Sequence, residues 1–456
     1  MVYIGAAEMT TVHQAFLPGS MAAPAHSISF RRRRFLNWFP LGLTYATLYM
    51  GRYNFNVAKG AIGESFHFSK AEMGVIATAG FWTYAISVIV NGPLADRFGG
   101  RRAILAGALG ASAVNLVIGA VFLSGATAGL LFSLSVLYAL NMYFQSFGAL
   151  SVVKINASWF HHRERGVLGG IFGSMISLGY ALAYGIGGFI LERMPLWAVY
   201  VVPSAALLAM FAVDSLLVQN RPSEAGHANF ATGDEAGERD GDPLEPTDEA
   251  PVSFAYVLRR VLSHPVIRLL AIAEFCTGLV RQGLLLYFPE FLREVHGVKP
   301  GTGLFQVASV GITVGGIAGA LVCGFVSDYF FSSRRTPVAF IFYLGQIASV
   351  LVLGWTTSPE VASFMVAFSC MWIFGVHGML SGTASMDFGG RRAAATAAGL
   401  LDGVQYIGAG LTGIGLGWLL DRYHWGIWTY SLVPFSAVGA LLMWKLWDAR
   451  PAGTAH

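Results

Sequence analysis

The residues in this chain with chemistry to offer are charges set in apolar surroundings. Arg52 lies near the middle of residues 43–59 (LTYATLYMGRYNFNVAK), inside the first long apolar segment. Tyr45, Tyr49, Arg52 and Asn56 follow at steps of four, three and four, so a helix presents them as one polar, aromatic stripe. A guanidinium does not give up its proton. At membrane depth it must face a protein cavity, water or an anion. Arg281 stands at a similar depth in AIAEFCTGLVRQGLLLYFP. Two such arginines suit a small anion held by charge-assisted, bidentate hydrogen bonds, and a dianion between them would offset their mutual repulsion.

Other polar residues in apolar stretches are open to two readings each. Glu274 precedes Arg281 by seven residues, on roughly the same helix face. It is either the buried partner that neutralises Arg281 in the empty site or a proton carrier. Asp402 either faces the cavity and accepts hydrogen bonds from sugar hydroxyls or makes a structural pair. His377 either hydrogen-bonds between helices or contacts a ligand, and Gln405 and Asn141 are either polar groups of the cavity or hydrogen-bonding links between helices. His161 and His162 point to different faces, and Cys276, Cys323 and Cys370 form no CxxC pattern. No metal, disulfide framework or cofactor is expected. Nucleotide loops, catalytic triads and metalloprotease signatures are lacking in the sequence, which argues against an enzyme.

The elements that must position these residues are transmembrane helices. The chain has 456 residues, 55% hydrophobic and 12% charged, with mean hydropathy +0.58; soluble domains carry about 25% charged residues. Twelve apolar segments are long enough to span: 36–58, 71–94, 103–124, 128–154, 167–190, 196–218, 266–289, 303–327, 337–357, 361–386, 394–419 and 426–446. Ser69-Lys70-Ala71-Glu72 reads as a capping box that starts the second. Of the 29 Lys and Arg, twenty fall on the side of Arg31–Arg34, six, Lys59 among them, in loops on the other side, and three at or near membrane depth. That asymmetry places both termini in the cytoplasm. It also explains the basic pI of about 8.9 without nucleic acid as a partner.

The organisation expected is therefore an all-α membrane protein with twelve transmembrane helices in two parallel-repeat halves. Residues 1–35 form a cytoplasmic N-terminal segment, 36–218 the first six-helix half and 219–265 a cytoplasmic linker. Residues 266–446 form the second half and 447–456 a cytoplasmic tail. The linker is acidic, contains Pro and Gly, and has no helix period. Repetition shows in three pairs: Asp96 and Asp328, Arg165 and Arg392, Arg52 and Arg281, all separated by nearly one offset.

GPLADRFGGRRAIL (92–105) resembles the loop signature of the major facilitator superfamily, and GFVSDYFFSSRR (324–335) is its second-half echo. The resemblance implies that Asp96, Arg97, Arg101, Arg102 and Asp328, with Arg165, bridge helix ends and exchange contacts as the halves rock. Within that superfamily the chain resembles the organophosphate:phosphate antiporters of the glycerol-3-phosphate and hexose-phosphate type. The resemblance is carried by YATLYMGRYNFNVA (45–58), YFQSFGALSVVKINASWFHHRERG (143–166), LVRQGLLLYFPEFL (279–292) and RRAAATAAGLLDGVQYIGAG (391–410). It implies that Arg52 and Arg281 grip a phosphoryl group. Tyr45, Tyr49, Tyr84 and Tyr406 fall where the family places aromatic residues in or near the cavity.

The implied activity is exchange of an organic phosphate for inorganic phosphate by a monomer in the cell (inner) membrane. The chain also departs from glycerol-phosphate members. It has Tyr53, Ile176, Val88 and Leu286 where they place a lysine, a histidine, a lysine and an aspartate. A proton-coupled organic-anion symporter and a non-transporting sugar-phosphate sensor remain as alternatives.

Overall fold

The computed structural model describes residues 26–161, 164–230, 232, 263, 265–332 and 334–448, with the side chains of 96, 165–167, 169 and 382–398 outside that description. The protein is a helical bundle of two halves, six helices each. The first half comprises α1 (Ile28–Phe66), α2 (Lys70–Phe98), α3 (Gly100–Ser124), α4 (Leu130–Trp159), α5 (165–193) and α6 (Ala198–Leu217). The second comprises α7 (Pro265–His296), α8 (Gly303–Phe330), α9 (Arg335–Trp355), α10 (Pro359–Ser381), α11 (Ser385–Tyr423) and α12 (Trp428–Lys445).

Ten of the described helices are long and apolar enough to cross a membrane by composition alone. The other two, α1 and α11, are both 39 residues long. In α1 the stripe of Tyr, Asn, Arg and Lys dilutes the hydropathy. In α11 the glycines with Asp402, Gln405 and Tyr406 do the same. These are the helices that carry much of the site.

Local signals explain the ends. The Ser69–Glu72 capping box forms: Glu72 N–H donates to Ser69 Oγ at 3.2 Å and Ser69 N–H to Glu72 Oε2 at 2.9 Å. Between α2 and α3 the backbone turns at Gly99, with φ +87° and ψ 150°, a conformation that only glycine adopts without strain. That is a physical reason for a glycine in the loop signature. Where a loop was expected around 387–393, helical backbone continues from the π turn Gly378–Ala384 into α11. The alanine-rich run 393–398 has the highest helix propensity available.

The halves meet along three helix pairs. In α1 and α7, residues one repeat apart touch each other: Gln282 donates to Tyr53 Oη at 3.1 Å, Asn56 to Leu285 O at 3.3 Å, and Arg293 to Glu64 at 3.0 Å, all at a separation of 229. Arg52 and Arg281 share that offset, so the repeat axis runs between these two helices. The second pair is α2 with α11. Gly74 and Gly413 bring their backbones together, Thr78 donates to Gly410 O at 2.6 Å, and Trp82 to Ile407 O at 3.1 Å. The third is α5 with α8, through Gln306 to Gly185 O at 3.0 Å and Thr313 to Ser177 O at 2.7 Å.

A Cβ on Gly74 would fall inside the backbone of Gly413. Gly74→Leu is expected to cost at least about 1–3 kcal/mol through overpacking, read as a lower midpoint of thermal unfolding in detergent; an unchanged midpoint would show that α2 and α11 can part freely.

These contacts gather in the half of the bundle away from Arg31–Arg34. On that far face an ionic belt joins the two halves: Lys59–Glu290 at 2.7 Å, Arg293–Glu64 at 2.9 Å and Lys70–Glu294 at 2.9 Å. The Asp421 carboxylate also accepts from Lys70 N at 3.0 Å and Ala71 N at 2.8 Å, capping the N-terminus of α2. Toward the arginine-rich face, by contrast, the side-chain hydrogen bonds and ion pairs of the described residues stay within one half, as in Arg33 to Leu217 O, Arg34–Glu164 and Arg335–Asp328. Among the described residues, the halves are therefore closed at one face and apart at the other. Lys59 is not in a loop, where the distribution of positive charge places it: it lies inside α1, fully buried, with its ammonium 3.6 Å from the centre of the Tyr287 ring.

Candidate anion-binding site

The site lies where α1, α7 and α11 converge. The α1 stripe turns Tyr45, Tyr49, Arg52 and Asn56 inward, and all four are buried. Arg52 is held from several directions. Its Nη1 donates to Tyr406 Oη at 3.1 Å, and its Nη2 lies 3.5 Å from Gln145 O. The guanidinium sits over the rings of Tyr49 at 4.7 Å and Tyr84 at 4.5 Å, a cation–π arrangement that orients it without neutralising it. Gln145 reaches this point because α4 breaks at Ser146, whose hydroxyl receives Asn91 at 2.7 Å. Behind Arg52, Asn141 and Asn115 both donate to Gly51 O, and Tyr138 donates to Arg52 O. This hydrogen-bonded packing fixes the helix backbone under the arginine.

Arg281 is 4% exposed and lies 5.4 Å from the Tyr406 ring. Its Nε and Nη2 are buried with no hydrogen-bond partner, and Arg52 Nε is in the same state. Among the described residues neither arginine has a carboxylate within ion-pair distance. Tyr406 thus touches both cations, one with its hydroxyl and one with its face. Two buried, uncompensated guanidinium groups cost several kcal/mol unless water or an anion meets them. Water, or an anion with several oxygen acceptors, would relieve that cost.

A tyrosine wall completes the site. Tyr84 packs against Tyr406 in a tilted pair with centroids 4.2 Å apart, and Tyr45 with Tyr49 and Tyr49 with Tyr180 meet edge to face, each at 5.3 Å. Tyr53 and Tyr180 share a hydrogen bond at 3.3 Å, and Tyr184 donates to Leu285 O at 2.9 Å. Tyr180 and Tyr184 lie on or beside the π turn Ala181–Ile186 of α5, which turns both rings toward α1.

The remaining candidates are placed as follows. Asp402 is half-buried, within electrostatic reach of Arg281, His377 and Glu274. Glu274 is fully buried but is not paired with Arg281; its Oε2 accepts from Gln405 Nε2 at 3.0 Å and lies 3.5 Å from His377 Nδ1. Asp328 pairs with Arg335 at 2.9 Å, joining the ends of α8 and α9. Arg97 and Arg102 are exposed, and Arg101 donates to Ser215 O on α6. The side chains of Asp96 and Arg165 lie outside the described residues. Sequence reasoning missed Tyr180, Tyr184, Gln282 and the Lys59–Glu290 pair, and used Tyr53 only as a departure from a pattern. One signal was available: Gln282 and Tyr53 follow the two arginines directly, at the same repeat offset.

A membrane-embedded bundle of two repeated halves, closed at one face around a cationic centre, defines the architecture of a secondary transporter. The chain belongs to the Major Facilitator Superfamily, whose family profile matches residues 41–413. It is 28% identical over 436 residues to the membrane sensor protein UhpC of Salmonella typhimurium, covering 91% of each chain. It is 24% identical to the glycerol-3-phosphate transporter of Bacillus subtilis, covering 92% of this chain and 94% of that one. In fold it is similar to a bacterial homolog of the human lysosomal transporter Spinster, solved inward-facing and unoccupied. The TM-score there is 0.73 at 17% identity, over 94% of this chain and 100% of the other.

Proposed function

We propose that this protein exchanges an organic phosphate ester for inorganic phosphate across the cell membrane by alternating access, with Arg52 and Arg281 as the phosphoryl clamp. The observation that carries the reading is the pair of buried guanidinium groups, joined through Tyr406 and lacking any described carboxylate partner. The relatives' names support the substrate class, since a glycerol-3-phosphate transporter and probable hexose phosphate transport proteins align over most of the chain. In the empty site the two cations repel, so the halves close poorly around it. Phosphate between them removes that penalty and permits rocking, which makes exchange obligatory. The arginine-rich face is cytoplasmic by the positive-inside rule, so the side on which the halves stand apart faces the cytoplasm. The protein works as a monomer without a cofactor, and 219–265 is a cytoplasmic connector.

The test is uptake of radiolabelled phosphate into proteoliposomes with and without internal phosphate. Uptake confined to preloaded vesicles is the expected result; uptake indifferent to internal phosphate would overturn obligate exchange. Tyr406→Phe should lower apparent phosphate affinity several-fold, because it removes one hydrogen bond to a charged group, worth about 1.5–3 kcal/mol before water replaces it, while keeping the ring under Arg281. A saturation curve matching wild type would exclude the hydroxyl from the site. A second reading, a sensor that binds a sugar phosphate without moving it, is favoured by the UhpC relative. Phosphate binding without flux would establish it.

A further inference from the structure

Beside the arginine pair, and unused by it, lies a second cluster of titratable side chains at the junction of α7, α10 and α11. Glu274 on α7 is fully buried. Gln405 Nε2 on α11 makes two contacts at once, 3.0 Å to Glu274 Oε2 and 2.7 Å to His377 Nδ1 on α10. Two acceptor atoms of the cluster, Glu274 Oε1 and Gln405 Oε1, are buried without a partner. His377 is the member open to the space between the halves, with 21% of its side chain exposed against none for Glu274.

We propose that Glu274, reached through His377 and read out by Gln405, is a proton-binding site coupled to anion occupancy of Arg281. The proposal rests on the anion-exchange reading given above and adds a second bound species to it.

The coupling has a direct electrostatic cause. A buried carboxylate needs a nearby positive charge to stay ionised. The cations facing Glu274 are Arg281, two turns along α7, and beyond it Arg52 on α1. The acid facing it is Asp402 on α11. Tyr343 on α9 reaches the same region through Thr277, with the two oxygens 2.6 Å apart, and the backbone of Ser381 borders it on α10. No ion pair fixes Glu274 to Arg281, so its ionisation depends on a charge that a bound phosphate would consume. When the anion binds, Glu274 is left facing neutralised arginines and takes up a proton. When the anion leaves, the proton leaves.

The cluster is built for two protonation states. With Glu274 ionised and His377 neutral as the Nε2–H tautomer, the two N–H groups of the Gln405 amide donate to the carboxylate and to Nδ1, an arrangement the two distances fit. With Glu274 protonated, half a turn of that amide presents Oε1, which accepts from the carboxyl O–H and from Nδ1–H of the other neutral histidine tautomer. The proton comes from water between the halves, beside His377, and forms a single O–H bond on Glu274. His377 exchanges its Nε2–H for Nδ1–H with the same water, so it is neutral before and after. The more highly charged of two exchanged anions therefore travels with a proton, which reduces the net charge moved per cycle.

The test uses the full-length protein in lipid nanodiscs and inorganic phosphate as the probe, read by infrared difference spectroscopy in parallel with phosphate exchange in proteoliposomes. Wild type should show a protonated-carboxyl stretch that appears on phosphate addition. Glu274→Gln, checked for monodisperse elution, should lack it, and Asp402→Asn should keep it. His377→Ala should keep the band but form it more slowly. Phosphate exchange by wild type with no such band, or a band that survives in Glu274→Gln, overturns the proposal. Should Glu274→Gln not fold, loss of the band in Asp402→Asn alone would overturn it and retention would support it. Failure of wild type to bind or exchange phosphate is a different result, because it overturns the anion reading itself.

Discussion

Arg281→Lys is expected to lower phosphate exchange about 10- to 100-fold, and Arg52→Lys to lower it less. Both changes keep the charge. What they remove is the planar fork of donors, which a single ammonium cannot reproduce. The asymmetry comes from how each guanidinium is used in the empty protein. Arg52 already directs Nη1 to Tyr406 and Nη2 toward Gln145 O, and two aromatic faces hold its plane. Part of its donor set belongs to the scaffold, so its ligand-facing share is smaller. Arg281 leaves Nε and Nη2 without partners, and these are free to meet a phosphoryl oxygen. One charge-assisted hydrogen bond is worth about 1.5–3 kcal/mol, and each 1.4 kcal/mol is tenfold. Initial exchange rates across a range of phosphate concentrations, normalised to reconstituted protein, measure the loss. A wild-type rate in Arg281→Lys would remove Arg281 from the clamp, and an equal loss in both variants would show that the scaffold contacts of Arg52 carry no such distinction.

The two arginines were legible in the sequence because burying a permanent charge is costly enough to single them out, and the repeat offset paired them. The twelve spans followed from hydropathy and length, although the helices carrying the site are the least apolar of the set. Less legible was everything decided by tertiary pairing. Lys59 sits at the end of the apolar run 36–58, where a lysine ordinarily snorkels to water. It is buried because Glu290 on the other half meets it, and no local pattern encodes that. Glu274 and Arg281 share a helix face, which suggested an ion pair. Gln405 and His377, more than a hundred residues away, hold Glu274 instead. Tyr180 and Tyr184 line the site by virtue of a π turn, a local widening of the helix without a proline or motif to announce it.

Breaking the Lys59–Glu290 pair should have the second large effect, on the balance between the two faces. The pair is buried at 2.7 Å and joins α1 to α7 across the repeat axis. It can form only while the face away from Arg31–Arg34 is closed. Removing one partner strands a charge in the closed interior at about 3–5 kcal/mol. The open state escapes that penalty, because there the remaining charge meets water. A cost borne by one state alone shifts the equilibrium by two orders of magnitude or more. Lys59→Met and Glu290→Gln are each expected to favour opening of this face. In both, a membrane-impermeant thiol reagent added on that side should label Val57→Cys, a position 2% exposed in the closed arrangement, much faster than in the parent protein. The double substitution leaves no buried charge and should label at nearly the parent rate, since a buried ion pair replaced as a unit by neutral groups costs little. If the double variant labels as fast as either single one, the closing force lies elsewhere in the belt, in Arg293–Glu64 or Lys70–Glu294. If neither single variant differs from the parent, the pair is a passive contact, and the packing of Gly74 against Gly413 keeps the face shut.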